Sequence, residues 1–147
     1  MRHALLTLTL AAAFTACGGE DPLTTEEYRA ELRKICQETD KKREAVEQPT
    51  RATPEAIADY LRRLRDINAA SIDRVDELEP PDELKSAHDR ALNANREGRE
   101  KVDAVIEELQ GGGNPTKVLQ DAQRELRGSS RVAQDAAREL GVSECEN

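Results

Sequence analysis

Apolar residues recur along most of this chain at alternating steps of three and four, and proline or glycine breaks the pattern at intervals. The clearest case is the stretch 57–78, where every position of one helical stripe is apolar or small: Ile57, Tyr60, Leu61, Leu64, Ile67, Ser71, Val75 and Leu78. An α-helix has 3.6 residues per turn, so this spacing gathers the apolar side chains on one face, which has to pack against another element. The pattern predicts a chain built from packed helices.

Four such segments are predicted, and each has its own start and stop signals. The starts are the capping box Thr24–Glu27, Thr53 before Pro54, Asp82 and Glu83 after two prolines, and Asn114 before Pro115. The stops are Gln48-Pro49, Pro80-Pro81, the glycines 111–113, and Gly141 before Val142. Short connections make successive helices antiparallel neighbours. The predicted fold class is therefore all-α: an antiparallel up-down-up-down four-helix bundle, residues 23–147, after a cleaved signal peptide.

The first residues of the chain have the layout of a secretory signal peptide. Arg2 supplies a positive charge, and residues 4–16 are almost all apolar or small. This run has 13 residues, whereas a membrane-spanning helix needs about 20. The glycines and acids of 18–21 cannot continue it into lipid. Residues 1–16 are therefore predicted to direct export and to be removed.

The end of this run, Phe14-Thr15-Ala16-Cys17, resembles the lipobox of bacterial lipoproteins. The resemblance implies that Cys17 becomes the mature N-terminus and carries a diacylglyceryl thioether with acyl chains such as palmitate. Two acyl chains suffice for stable anchoring, so the membrane would be a partner through the lipid on Cys17. Residues 17–22 would be the lipidated cysteine and a short tether. The alternative is that Cys17 lies in the tail of an ordinary signal peptide.

The charge of the chain restricts its partners. Removal of residues 1–16 takes away one formal charge, that of Arg2, and changes the net charge from −8 to −9. Nucleic-acid binding depends on neutralising phosphates with basic side chains, so an acidic chain with no basic stripe is not expected to bind nucleic acid. Attraction to anionic lipid is disfavoured for the same reason.

Two cysteines remain once Cys17 is assigned to lipid. In an exported chain the simplest prediction is a disulfide between Cys36 and Cys145, which closes a loop of about 100 residues. Two free thiols in a reducing setting are an alternative. A metal site is a weaker one, because no matched histidines accompany the cysteines.

Three blocks of the sequence resemble a group of small, uncharacterised helical lipoproteins from high-GC bacteria. The blocks are "LTTEEYRAELRKIC", "EPPDEL" and "ARELGVSEC". Those proteins also keep one cysteine in the first helix and another at the C-terminus. The resemblance carries no catalytic motif and no agreed activity, so it supports the helical architecture and the bridge alone.

Motifs for catalysis or metal binding are poorly matched. "GGGNPTK" lacks the spacing of a phosphate-binding loop, and "RGSSR" lacks the glycines of a nucleophile elbow. Di-metal bundles use Glu-x-x-His pairs, but here Lys85 stands three residues before His88. We therefore predict no catalytic residue, no metal site and no cofactor.

One irregularity in the apolar stripes suggests a site. The third stripe places His88, Asn95 and Gly98 where larger apolar residues are expected, and antiparallel pairing brings Asn68 and Ser129 near the level of Asn95. These residues form a satisfied polar network that fixes helix register, or lie exposed at the edge of the stripe, or line a small polar pocket. His88 in such a pocket is also a candidate pH switch.

Two functions are consistent with these features. The first is a non-enzymatic, extracytoplasmic interaction or envelope-accessory module that binds an unknown envelope protein. The alternative is a small-molecule binding protein whose pocket contains His88, Asn68, Asn95 and Ser129. A concave pocket containing His88 or Asn95 favours the second function, and a filled core favours the first.

Overall fold

The computed structural model describes residues 23–145, so the predicted signal peptide and Cys17 lie outside the described residues. Within that range the chain forms α1 (Thr25–Glu44), α2 (Pro54–Asp76), α3 (Asp82–Gln110), α4 (Pro115–Leu140) and a 3₁₀ turn, Ser143–Cys145. The described residues contain no strand. The prediction of an all-helical chain with four helices is confirmed.

The predicted start signals act as helix caps. The Thr24 side chain accepts from the backbone N–H of Glu27 at 3.3 Å, and the Thr24 N–H donates to the Glu27 carboxylate at 3.0 Å. The other two capping side chains do the same for their helices: Thr53 accepts from the Ala56 N–H at 3.3 Å and Asn114 from the Lys117 N–H at 3.1 Å. Each cap satisfies a backbone donor that has no partner within its helix.

The predicted stops are also present, but two helices end before them, and α2 ends at Asp76, four residues before Pro80. Gly141 adopts a left-handed conformation (φ 75°), and the N–H of Val142 donates to the Ala137 carbonyl at 3.0 Å, which closes α4. Helix α1 ends at Glu44, four residues before the predicted stop at Gln48. Most of the residues from 44 to 48 are exposed, so a longer helix would gain little buried surface to offset its ordering.

The buried side chains form two clusters. The first joins α1, the start of α3 and the end of α4: Tyr28, Leu32, Leu84, Ala87, Ala137, Leu140 and Val142. The second joins the start of α2, the end of α3 and the start of α4: Ala58, Val105, Ile106, Leu109, Val118 and Ala122. Between the two clusters lies the middle of the helices, where the packing is less complete.

The middle of α3 turns a different face inward from the one that the stripe predicts. Leu92 and Ala94 are buried there, whereas Asn95 is exposed. Helix α3 packs against both α2 and α4, so its buried face is wider than a single stripe. A position at the margin of such a face, such as Asn95, is then left open to solvent.

Polar contacts show which levels of neighbouring helices lie side by side. Between α2 and α3, Arg96 is 2.8 Å from Asp76 and Arg65 is 2.8 Å from Asp103. Between α3 and α4, Lys101 donates to the Glu125 carbonyl at 3.0 Å. Arg90 of α3 also pairs with Glu139 of α4. These partly exposed pairs contribute little to stability, typically about 0–1 kcal/mol each.

Candidate functional site

A cleft of about 260 Å³ lies between the middles of α2, α3 and α4, and we name it the interhelical cleft. Its polar lining consists of Arg65, Asn68, Asn95, Arg99, Ser129 and Ser130. The rest of the lining is glycine, leucine, isoleucine, valine and alanine. A mostly apolar wall with a few convergent polar groups is typical of small-ligand sites.

A second cleft of about 230 Å³, the disulfide-side cleft, lies between α1, α2 and α3 and the C-terminal segment. It shares Asn68, Ile72 and Asn95 with the interhelical cleft. Cys36 and Cys145 are part of its wall. The two asparagines therefore stand where the two clefts adjoin.

Gly98 leaves space in the interhelical cleft. A Cβ atom built on Gly98 would lie 4.0 Å from Ser129 Oγ, which is ordinary contact, so a side chain there would extend into the cleft rather than clash. Ser129 is buried, and its hydroxyl donates to the Leu126 carbonyl of its own helix at 3.2 Å. The oxygen of that hydroxyl keeps a lone pair that a ligand can use.

The two asparagine side chains are exposed and retain hydrogen-bonding capacity. Asn95 Nδ2 donates to the Ala91 carbonyl at 2.8 Å, which leaves its Oδ1 and second N–H available. The side chain of Asn68 makes no hydrogen bond to another side chain or to a backbone group within residues 23–145. Both amides can therefore donate to and accept from a molecule in either cleft.

Two arginines contribute the charge of the interhelical cleft. Arg65 Nη1 is 2.8 Å from Asp103, and its Nε lies 2.9 Å from Asp66 without the geometry of a hydrogen bond. Arg99 is half-buried, and its guanidinium has no ion pair or hydrogen bond to any residue that the structure describes. No aspartate or glutamate lines this cleft. Its charge is therefore positive, in a chain whose net charge is −8.

His88 lies elsewhere, in the first core cluster region. It is 4% exposed, and its Nδ1 is 2.6 Å from the hydroxyl of Tyr28, which is fully buried. Burial is the main cause that lowers the pKa of His88 below 6.5, against the nearby charges of Asp89 and Asp76, which raise it. Burial also raises the pKa of Tyr28 to about 12. Both groups are therefore neutral near pH 7.

The structure thus brings together three of the four residues of the predicted polar pocket. Asn68, Asn95 and Ser129 line the interhelical cleft, whereas His88 does not and bonds to Tyr28 instead. The sequence reasoning missed Arg99, which follows Gly98 directly. A charged residue next to a seam position looks like ordinary helix surface, and no local signal separates it from the many other charged positions.

The predicted cysteine pair is joined. Cys36 and Cys145 form a disulfide with a Cα–Cα distance of 5.5 Å across a sequence separation of 109. The C-terminal segment reaches α1 by turning back after Gly141, and Val142 is buried in the first cluster on the way. The bridge therefore fastens the end of the chain over the disulfide-side cleft.

No group of three or more histidine, cysteine, aspartate or glutamate side chains is placed to hold a metal ion within residues 23–145. None of the described helices is long and apolar enough to cross a membrane.

Comparison of the chain with models of protein families, with curated proteins and with solved structures found no match in any of the three.

Proposed function

We propose that this protein is an extracytoplasmic lipoprotein, held at the membrane by a diacylglyceryl group on Cys17, whose helical domain is a non-enzymatic interaction module. The observation that carries the proposal is the Cys36–Cys145 disulfide. Structural disulfides persist in oxidising compartments outside the cytoplasm and are rare inside it. The bridge and the predicted export signal of residues 1–16 favour the same location.

We also propose that the four helices form an antiparallel up-down-up-down bundle. Its support is the order of the contacts between helices: later positions of α3 meet earlier positions of α2 and α4. Asp76 pairs with Arg96 and Arg65 with Asp103, while Arg90 pairs with Glu139. Lys101 contacts Glu125 in the same sense. In a parallel pair of helices, the residue numbers of the contacting positions would increase in the same direction along both helices.

This architecture fixes which end would face the membrane. The start of α1 and the end of α4 contact each other through Arg29, whose Nε donates to the Leu140 carbonyl at 2.8 Å. The described chain begins at this end with residue 23, and a tether of five residues, 18–22, would span at most about 18 Å. The connections 45–53 and 111–114 would then point away from the membrane, towards a protein partner in the envelope.

A non-enzymatic role is favoured by the place of His88, the residue best suited to acid–base chemistry at neutral pH. Its side chain is 4% exposed and its Nδ1 is occupied by Tyr28. A general base has to reach a substrate proton directly or through one water. In His88, the Nδ1 atom that could accept such a proton is already bonded to the hydroxyl of Tyr28.

The second candidate function is small-molecule binding, and the interhelical cleft favours it. The cleft is concave, contains Asn95 and carries exposed amides among apolar side chains. An interaction module alone requires no such cavity in the middle of its helices. The two functions are compatible, because ligand binding in the cleft would leave the membrane-distal loops free.

Mass spectrometry of the protein extracted from membranes tests the anchor. We expect a mature chain that begins at Cys17 with a diacylglyceryl mass and two fewer hydrogens for the bridge. A Cys17→Ala variant should be released from the membrane, while the Cys36→Ser/Cys145→Ser variant should stay bound. An unacylated mature chain that begins at another residue would overturn the proposal.

The interaction role is tested by cross-linking in the solubilised envelope. Photo-reactive groups placed in the loops 45–53 and 111–114 should capture one reproducible partner. Groups placed at the membrane-proximal turn 77–81 serve as the matched control. Equal capture of unrelated proteins from both ends would argue against a specific interaction surface.

A further inference from the structure

We propose that the interhelical cleft binds a small carboxylate with a short apolar chain, and that Arg99 recognises its negative charge. This inference rests on the second candidate function, small-molecule binding, and names the class of ligand.

The charge of the lining sets this cleft apart. Arg65 and Arg99 line it and no acidic side chain does. Three other clefts within residues 23–145 each contain at least one acidic side chain: Asp40 in the disulfide-side cleft, Glu47 and Asp59 beside the loop after α1, and Asp135 with Glu139 on α4. In an acidic protein, a concave site without acids favours anions over cations.

Arg99 supplies charge that the protein itself does not neutralise. The charge of Arg65 is offset by Asp103 at 2.8 Å, whereas Arg99 has no ion pair within the described residues. Other arginines without such a pair, for example Arg63, are exposed to solvent, and Arg99 is half-buried. A partly desolvated guanidinium gains most from a bound anion, because water screens the attraction less.

The groups around Arg99 suit a carboxylate. Asn68 and Asn95 each offer amide N–H donors, and Ser130 lines the same cleft. A carboxylate has two oxygens and accepts several hydrogen bonds at once. A guanidinium matches two of these lone pairs in one plane, so the amides can donate to the remaining ones.

The apolar part of the lining and the volume of the cleft indicate the polarity and size of the ligand beyond its carboxylate. Leucine, isoleucine and valine side chains from α2, α3 and α4 form much of the apolar lining. A volume of about 260 Å³ equals on the order of ten water molecules in the liquid. This suits a ligand of about ten non-hydrogen atoms, such as a six-carbon acid, and is too small to enclose a whole long-chain fatty acid.

Calorimetric titration of the full-length protein with hexanoate and with hexanamide tests the proposal. The two probes match in chain length and differ in charge. We expect hexanoate to bind at least tenfold more tightly, since a charge-assisted hydrogen bond is stronger than a neutral one. Dodecanoate distinguishes a small free acid from a membrane-derived fatty acid, and it should bind no more tightly than hexanoate.

Three variants test whether the probes bind in the interhelical cleft. Arg99→Gln should weaken hexanoate binding about tenfold to a hundredfold and leave hexanamide binding unchanged. Arg63→Gln, which removes the same charge from an exposed site outside the cleft, should change neither. Gly98→Leu should reduce binding of both probes, because its side chain fills the cleft while leucine favours the helix over glycine.

Each other result overturns a defined part of the proposal. Equal affinity for the acid and the amide would remove anion recognition and leave a neutral binding site. If the Arg99→Gln variant still preferred the acid, the carboxylate would be bound at another site and not by Arg99. Binding of neither probe would overturn both this inference and the small-molecule function. The lipid anchor is tested separately, by mass spectrometry.

Discussion

The hydroxyl of Tyr28 and the Nδ1 of His88 lie 2.6 Å apart and join α1 to α3 within the core. Tyr28 is fully buried and His88 is 4% exposed, so neither side chain can exchange this hydrogen bond for one to water. The rings meet edge to face with centroids 6.0 Å apart. This pair is therefore a specific polar contact in a cluster that is otherwise apolar.

The first prediction concerns pH. Burial lowers the pKa of His88 below 6.5 in the folded protein, so the unfolded chain takes up its proton at a higher pH. The stability that neutral His88 contributes is complete above about pH 6.5 and is lost as the pH falls from 6.5 towards the folded pKa. We expect the free energy of unfolding, measured by urea denaturation between pH 5 and 8, to decrease over that acidic window.

The His88→Leu variant is the control for this pH effect. It removes the titrating group, so its stability should vary less between pH 5 and 6.5. The carboxylates of Glu38 and Asp121 have pKa values lowered by hydrogen bonds to Arg74 and Lys117, so the stability they contribute is complete above about pH 4.5 and 3.8 and is lost only below those values. Identical pH profiles for wild type and variant would contradict the assignment to His88.

The second prediction is an energetic coupling between Tyr28 and His88. Tyr28→Phe removes the hydroxyl and leaves Nδ1 of His88 buried without its partner, which costs about 1–3 kcal/mol. His88→Leu leaves the tyrosine hydroxyl unpaired in the same way. The double variant has no unpaired group here, so its loss should be smaller than the sum of the two single losses by about 0.5–3 kcal/mol.

Urea denaturation at pH 8 measures this coupling, because His88 is neutral there in both states. Additive losses would show that the short distance between the two side chains contributes no interaction energy. Tyr60→Phe is the matched control, since Tyr60 lies outside this pair and is partly exposed.

The third prediction concerns the disulfide. The bridge constrains a loop with a sequence separation of 109 residues. The chain-entropy model assigns such a loop about 4–5 kcal/mol at most, and typical measured values are about 2–4 kcal/mol. We expect the Cys36→Ser/Cys145→Ser variant to unfold at a clearly lower urea concentration than wild type under the same conditions.

Hydrogen exchange adds a local readout to this experiment. In the variant without the bridge, the amides of residues 143–145 should lose protection before those of α3. Unchanged protection in this segment would mean that Val142, rather than the bridge, holds the C-terminus in place.

The fourth prediction compares two glycines of α4. Gly128 lies within the helix, and a Cβ there would meet nothing within 4 Å, so Gly128→Ala should stabilise the protein by about 1 kcal/mol. Gly141 ends the helix at φ 75°, and a Cβ there would lie 2.9 Å from Nε of Arg29. Gly141→Ala should therefore destabilise by about 1–2 kcal/mol.

Thermal or urea unfolding of both variants checks this pair. The same substitution is expected to change stability in opposite directions at two positions of one helix. Stabilisation by Gly141→Ala would show that the left-handed conformation there is not required.

Much of the fold could be predicted from the sequence, because its signals are local. Thr24, Thr53 and Asn114 cap helices at the predicted positions. Each side-chain oxygen accepts from a backbone N–H three residues later, so the cap needs no partner from a distant part of the chain. Gly141 ends α4 for an equally local reason. The ends of α1 and α2 were predicted four residues too late, because the gain from continuing a helix depends on what its last turns would pack against.

The candidate site could be predicted only in part. The gap at Gly98 and its neighbours Asn95 and Ser129 were visible as irregularities in the apolar stripes. The partner of His88 was not, since the apolar stripe of α1 marks Tyr28 as a core residue without showing where its hydroxyl points. The isolation of Arg99 from every described acid also depends on side-chain placement across three helices.

The sequence by itself determined the helical segments, the caps that start them and the residues available to pair, because these follow from hydrogen bonds and side-chain spacing within one turn. Only the tertiary structure decided that His88 packs against Tyr28, that Asn68 and Asn95 face two clefts, and that Arg99 lies without a counter-charge. The reason is physical: burial and charge pairing depend on the rotation of each helix about its axis, and that rotation is set jointly by all the helices that pack together.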